Sequence, residues 1–217
     1  MITVFIYNGK LVKNIKENNK AYLLYHNGVS TEKMVSIFEG LKLEKEWDYV
    51  VTQQASHFSG KIETYEPYFS FIYDYVKDNT KFRKFGWQET WAYGPNMNAP
   101  ENRFGDYNRD SELMYNEIHK CVSLLLDKMP DLFVINSGDI VRNAIPVINA
   151  DLYDDYDFHM SSAGCYLIGT NFVKLLLEDS IRNVYIPDGH NLGKDLCTEI
   201  TNFVNNQSGF KKNYIAK

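Results

Sequence analysis

The sequence predicts an α/β fold with a mostly parallel sheet, in one domain that spans residues 1–217. Runs rich in β-branched and aromatic residues alternate with segments of roughly 10–19 residues whose apolar positions recur at the helical period. No internal repeat and no linker rich in Pro, Gly or Ser interrupts this pattern. Such alternation favours parallel strands joined by crossover helices, and ligands of such sheets bind at the carboxyl ends of the strands.

Each element is predicted from its local pattern. The predicted strands cover residues 2–7, 47–54, 84–93 and 131–136, and Asn8-Gly9 predicts a turn after the first strand. The predicted helices cover residues 31–43, 65–79, 111–129, 139–145, 162–177 and 193–205. Ser111 is the expected N-cap of the third helix, and Ser161 or Ser162 that of the fifth. Residues 94–110 are polar and rich in Gly, Pro and Asn, which predicts a long surface loop.

Composition excludes several classes of protein. Apolar residues make up 44% of the 217 residues and charged residues 24%, as in a folded globular protein rather than a disordered one. A net charge of −5 gives no attraction to nucleic acid or to an anionic membrane, so neither is an expected partner. The apolar N-terminal run is too short for a signal peptide or a membrane span, and Cys121, Cys165 and Cys197 predict free, mostly buried thiols. The cytoplasm is therefore the default localisation.

His159 is the strongest catalytic candidate. The acidic residues Asp154, Asp155 and Asp157 precede it, and a capped helix follows at once. A nearby carboxylate orients an imidazole and stabilises its protonated form, as a general base requires. A solvated acidic loop with an incidental His is the competing interpretation. An acidic cluster with one His could also bind a metal through oxygen ligands; this interpretation is weaker, because the sequence lacks the closely spaced His or Cys pairs that are typical of a metal site.

Other polar and aromatic residues follow the predicted strands. Gln53, Gln54 and Ser56 end the second strand, where amide side chains can donate to a developing oxyanion; a polar turn is the alternative. Trp91 and Tyr93 follow the third strand and are candidates for lining a cleft. The sequence contains no Walker loop, dinucleotide fingerprint, G-x-S-x-G or H-E-x-x-H motif, which argues against the commonest nucleotide, α/β-hydrolase and zincin functions.

Four segments together resemble a family. They are the segment W-D-Y-V-V-T-Q-Q-A-S at 47–56, Q-E-T-W-A-Y at 88–93, S-G-D at 137–139 and F-H-M-S-S-A-G-C-Y-L at 158–167. In order and spacing, from about residue 7 to about residue 205, they are similar to a bacterial branch of the SGNH (GDSL-like) hydrolases. The resemblance implies a flavodoxin-like three-layer α/β/α sandwich and a serine esterase or deacetylase that acts on acylated carbohydrates.

The resemblance also implies residue roles. His159 matches the catalytic His, and Asp155 or Asp157 would orient it, although the family places its Asp three residues before the His, where this chain has Tyr156. Gly9 matches the oxyanion-hole Gly, and Gln54, or else Gln53, the amide side chain. No metal or organic cofactor is implied.

The block that carries the family's nucleophile, G-[DN]-S at the end of its first and central strand, is absent from the sequence. Three explanations stay open. The start codon lies upstream; the gene is a decayed fragment; or the flanking strands pair directly and the protein is a non-catalytic descendant. The first two are favoured, because flanking strands that lose their shared neighbour are expected to leave backbone groups unpaired.

Two functions are therefore expected. The first is an ester hydrolase whose 217-residue chain is inactive by itself. The second is a non-catalytic carbohydrate-binding protein with Trp91, Tyr93 and Tyr156 as its stacking surface. A flavin- or nucleotide-binding module is a weaker third, because no phosphate-binding loop follows the first strand.

Overall fold

The structure is a computed structural model that describes residues 2–5, 8–26, 29–98, 103–154, 156–188 and 191–211. The strands are β1 (Ile2–Phe5), β2 (Tyr22–His26), β3 (Val29–Val35), β4 (Glu46–Gln53), β5 (Lys81–Glu89) and β6 (Phe133–Asn136). The helices are α1 (Asn8–Lys16), α2 (Ile37–Leu41), α3 (Tyr68–Asn79), α4 (Ser111–Lys128), α5 (Ser137–Ala144), α6 (Ser162–Leu177) and α7 (Lys194–Asn205).

In the described part of the chain, a parallel sheet of four strands has the order β1-β4-β5-β6. Strands β2 and β3 form a separate antiparallel hairpin. Because the four sheet strands are parallel, their carboxyl ends meet at one edge, which we call the carboxyl edge. The segments after Gln53, Glu89 and Asn136 all leave the sheet there.

Two layers of helices cover the sheet, which confirms the predicted three-layer α/β/α fold. On one face, Val50, Phe85 and Trp87 pack with residues of α1, α3 and α4. On the other face, Val51 and Ile135 pack against α6, and α7 packs on α6. Alternate residues along β4 thus enter different cores, as expected for a strand that is buried on both faces.

Strand β1 pairs directly with β4, in register from Ile2 opposite Val50 to Phe5 opposite Gln53. The expectation that the two strands flanking the missing central strand are left unpaired is therefore wrong. The backbone groups of the two strands hydrogen-bond to each other along this ladder.

Most predicted elements are confirmed to within a few residues, and three are wrong. The first half of the helix predicted at 31–43 is strand β3, because it pairs with β2; α2 begins only at Ile37, after a capping box between Ser36 and Glu39. The turn predicted at Asn8-Gly9 is the first turn of α1. Asp110 rather than Ser111 caps α4, since its carboxylate accepts hydrogen bonds from two backbone N–H groups of the first turn.

Two further findings concern helix length and thiols. Among the described helices, none is both long and apolar enough to span a bilayer. The three cysteines are free, with Cys121 and Cys197 buried and Cys165 exposed.

Candidate functional site

The His159 loop is a tight, internally bonded turn before α6. The Asp154 N–H donates to the His159 carbonyl at 2.9 Å, and Tyr153 forms a bridge with Met160. One Asp154 carboxylate oxygen accepts from the backbone N–H groups of Tyr156, Phe158 and His159, at 3.1–3.3 Å. Partial burial opposes this effect, but these three donors lower the pKa of Asp154 below its usual value. The loop backbone is thus fixed while the His159 side chain is exposed, with its ring 4.2 Å from that of Phe158.

The same loop is fastened to the segment that continues β5 beyond the carboxyl edge. The Trp91 indole N–H donates to the Phe158 carbonyl at 3.3 Å. The N–H of Gly94 donates to the Asp157 carbonyl at 2.8 Å, and a Cβ at Gly94 would lie 2.6 Å from the Asp157 carboxyl carbon. These contacts place His159 at the carboxyl edge, where the sequence predicts the site.

The predicted orienting carboxylates have different outcomes. Asp155 lies outside the described residues. The Asp157 carboxylate accepts from the Asn96 backbone N–H at 2.8 Å, and the Asp157 backbone is left-handed (φ 54°). Among the described residues, no carboxylate hydrogen-bonds the His159 ring. The prediction that Asp157 orients His159 is therefore wrong for this conformation.

The two glutamines that end β4 differ in role. Gln54 is fully buried; its amide N–H donates to the Thr64 hydroxyl at 3.0 Å and its oxygen accepts from the Ala55 N–H at 3.0 Å. An amide engaged in this way is not free to bind an oxyanion, so the preference for Gln54 is wrong. Gln53 is half-buried at the carboxyl edge, and Gly9 lies in the first turn of α1 near the end of the neighbouring strand. First-turn N–H groups have no intrahelical acceptor, so the Gly9 N–H is able to donate a hydrogen bond to an oxyanion.

The remaining candidates divide between the edge and the core. Ser56 is half-buried in a short 3₁₀ turn just after β4, and Trp91 is half-buried and holds the His159 loop. Tyr93 is fully buried, with its ring 5.6 Å from Phe104 and 5.0 Å from Phe158. The prediction that Tyr93 lines a cleft is therefore wrong, since it packs in a core.

A second group of ionisable residues lies at the same edge, in the interior. His119 Nδ1 on α4 is 3.3 Å from Glu89 Oε1 at the end of β5 and 3.2 Å from Asp139 Oδ1 in the first turn of α5. The other Glu89 oxygen accepts from the Asp139 backbone N–H at 3.0 Å, and the Tyr115 hydroxyl donates to Asp139 at 2.7 Å. We call Glu89, His119 and Asp139 the edge triad.

Burial and charge determine the electrostatics of the edge triad. The side chains of Glu89, His119 and Asp139 are 0%, 5% and 14% exposed. Burial raises the pKa of Glu89 even though His119 beside it acts in the opposite direction. Burial disfavours the His119 cation, but hydrogen bonds to Asp139 and Glu89 outweigh it and raise the pKa of His119. Burial, followed by the charge of Asp139, raises the pKa of Tyr115.

A cavity of about 210 Å³ opens beside the edge triad. It is lined by Tyr115, His119, Asn136, Asp139, Ile140, Asn143, Gln207, Ser208, Gly209 and Lys211. The Phe210 ring stacks on the His119 ring with centroids 4.5 Å apart. The cavity thus brings carboxylate, imidazole, phenol and amide groups to one open pocket.

Comparison with known families decides the classification. The model of the family described as "Domain of unknown function (DUF4886)" matches residues 8–200. The chain belongs to the DUF4886 family. The chain is also similar to a crystal structure of a DUF4886 family protein from Bacteroides uniformis ATCC 8492, with 24% identity and a TM-score of 0.81. The alignment covers 93% of this chain and 78% of that one, so the fold is shared. A search of curated proteins gave no match.

In this DUF4886 chain, sequence reasoning located His159 and its loop but missed the edge triad. None of the motifs above includes His119, and Asp139 begins the helix predicted at 139–145. The sequence does contain a signal for the edge triad. Glu89 lies within the predicted third strand and Asp139 follows the fourth, so both approach the carboxyl edge. His119 lies next to Ile118, an apolar residue on the buried face of the longest predicted helix.

Proposed function

We propose that this protein is an ester hydrolase of the SGNH type, with His159 as the general base. The observation that carries the proposal is the placement of His159. Its imidazole is exposed, its backbone is fixed by Asp154, and its loop is fastened to the carboxyl edge by Trp91. A general base must be accessible and held at the place where substrate meets nucleophile, and this edge is where such sheets bind ligands.

The other roles follow from the same edge. The Gly9 N–H and the Gln53 amide are the oxyanion donors, since Gln54 is committed to Thr64 and Ala55. Asp155 is the remaining candidate for orienting His159. No nucleophile is assigned within the printed sequence: Ser59 is buried with its hydroxyl bonded to the Ala55 carbonyl, and the G-[DN]-S block is absent.

In the proposed reaction, the serine oxygen attacks the ester carbonyl while His159 takes the hydroxyl proton. The tetrahedral oxyanion collapses to an acyl-enzyme, and the protonated His159 delivers that proton to the departing alcohol. Water then repeats the sequence and releases the acid. The substrate class is an acyl or acetyl ester, with acylated carbohydrates first among the alcohols to test.

The test is hydrolysis of p-nitrophenyl acetate by the protein purified from its native host. We expect turnover that falls on the order of 10³-fold or more in His159→Ala. His57→Ala removes a different imidazole from the same edge and is the matched control, which we expect to keep its activity. For the 217-residue chain alone we expect no turnover, because acyl transfer needs an activated nucleophile. Turnover by that chain that is abolished by His159→Ala would instead assign the nucleophile to Ser56.

The direct pairing of β1 with β4 favours a second candidate function, a carbohydrate-binding protein without catalysis. Tyr156 is 59% exposed in the His159 loop, and Trp91 is half-buried and bonded to the same loop, so these two rings are the proposed stacking surface, without Tyr93. Calorimetry with acetylated and plain oligosaccharides tests it. Heat that Tyr156→Ala abolishes, without any ester turnover, supports binding; no heat with any glycan rejects it.

A further inference from the structure

We propose that the edge triad binds one divalent first-row transition-metal ion, with His119 Nδ1 and one carboxylate oxygen each from Glu89 and Asp139 as its protein ligands. This site is separate from the His159 loop and does not depend on the ester hydrolase proposal. A site of one imidazole and two carboxylates suits ions such as Zn²⁺, Mn²⁺ or Fe²⁺ better than Ca²⁺, which prefers oxygen ligands alone.

The spacing of the donor atoms fits one ion. Atoms that each lie about 2.1 Å from a metal and subtend about 90–109° are about 3.0–3.4 Å apart. His119 Nδ1 lies 3.3 Å from Glu89 Oε1 and 3.2 Å from Asp139 Oδ1, and the three residues offer ligand atoms that all lie within 4.8 Å of one another. The donors are therefore close to ligand positions before any ion binds.

The charges of the edge triad favour a divalent ion. Two carboxylates that are 0% and 14% exposed face a single imidazole. Carboxylates are costly to bury without a compensating cation. A divalent ion bound to both carboxylates provides that compensation.

The surroundings hold the ligands as the outer shell of a metal site does. The Glu89 oxygen that is not a ligand is held by the Asp139 N–H, and the Asp139 carboxylate by the Tyr115 hydroxyl. Gly138 allows this approach, because a Cβ there would lie 3.1 Å from Glu89 Oε2 and 2.6 Å from the Thr90 carbonyl oxygen.

The cavity provides the independent observation that points to a ligand. Its 210 Å³ borders His119 and Asp139 and is lined by both polar and apolar groups, so water or a substrate oxygen can complete the coordination. Three protein ligands with an open side are the arrangement of a catalytic rather than a purely structural metal site.

The experiment is calorimetric titration of the metal-stripped protein with Zn²⁺, with Co²⁺ absorption as the coordination readout. We expect one ion per chain, and affinity that falls at least on the order of 100-fold in Glu89→Gln and in Asp139→Asn. Tyr115→Phe keeps all three ligands, loses only the bond to Asp139, and is expected to weaken binding by about tenfold. Glu112→Gln, which removes a carboxylate of α4 that is paired with Arg142 at the surface, is the matched control and should bind like the parent chain.

Far-ultraviolet circular dichroism of each variant separates loss of a ligand from loss of the fold. If Glu89→Gln does not fold, Asp139→Asn and Tyr115→Phe still decide the question. Two results overturn the proposal: a folded parent chain that binds neither ion at micromolar concentration, or folded Asp139→Asn that binds Zn²⁺ as tightly as the parent.

Discussion

Two glycines of α6 make a matched pair that tests how the His159 loop is held. Gly164 lies in the first turn of the helix, and a Cβ there would lie 2.1 Å from the Leu152 carbonyl oxygen and 2.8 Å from the Met160 sulfur. Gly169 lies later in the same helix, is exposed, and its Cβ would meet no atom within 4 Å. We therefore expect Gly164→Ala and Gly169→Ala to change stability in opposite directions.

The magnitudes follow from the neighbours. Overpacking costs about 1–3 kcal/mol. The Leu152 carbonyl cannot move away from Gly164→Ala without losing its bond from the Ser161 N–H (3.0 Å), which adds about 1 kcal/mol. The higher helix propensity of Ala stabilises the variant by about 1 kcal/mol, so the free energy of unfolding should fall by about 1–3 kcal/mol in total. Gly169→Ala keeps only the propensity term, a gain of about 1 kcal/mol.

The assay is urea unfolding of both variants and the parent, followed by circular dichroism, with free energies of unfolding compared at equal slope. The reasoning is refuted if the two variants shift the midpoint by the same amount, or if Gly164→Ala is the more stable. Either result would mean that the loop yields freely and does not hold His159 in place.

Three further predictions use the same measurement. Gln54→Ala should lower the free energy of unfolding by about 1–3 kcal/mol, because it leaves buried polar groups without their hydrogen-bond partner. Gln53→Ala next to it should change that free energy by less than about 0.5 kcal/mol. Equal effects would contradict the different roles assigned to the two residues. Tyr93→Phe should not destabilise the protein, because its buried hydroxyl has no hydrogen-bond partner among the described residues, whereas Tyr65→Phe should lose about 1 kcal/mol with its bond to the Ser59 carbonyl. Asp154→Ala should be less stable than the parent above the ordinary carboxyl pKa of 3.8, and the gap should close as pH falls through the lowered folded-state pKa; a gap that widens in acid would show that the carboxylate is not what stabilises the loop.

The sequence predicts those elements whose signals are local. The start of α6 is an example: Ser161 caps it through the Gly164 N–H at 3.1 Å, as the pattern of a serine before an apolar stripe indicates. The helix predicted at 31–43 fails because its first half is decided by pairing with β2, a tertiary contact that periodicity does not report.

The same distinction separates the parts of the candidate site. His159 is recognisable because its acidic neighbours and the following helix are adjacent in sequence. The edge triad is assembled from residues that lie 30 and 20 positions from His119, which meet only when β5, α4 and α5 pack together. The different roles of Gln53 and Gln54 likewise depend on a tertiary contact. The Thr64 hydroxyl accepts a hydrogen bond from the Gln54 amide, and the sequence pattern does not report this contact.

The most direct test of the central claim is the intact mass of the native-host protein before and after reaction with a fluorophosphonate. The account predicts one adduct per chain and loss of that adduct in His159→Ala. No adduct on the parent protein, or an adduct that forms equally well in His159→Ala, would contradict the assignment of His159 as the base of an ester hydrolase.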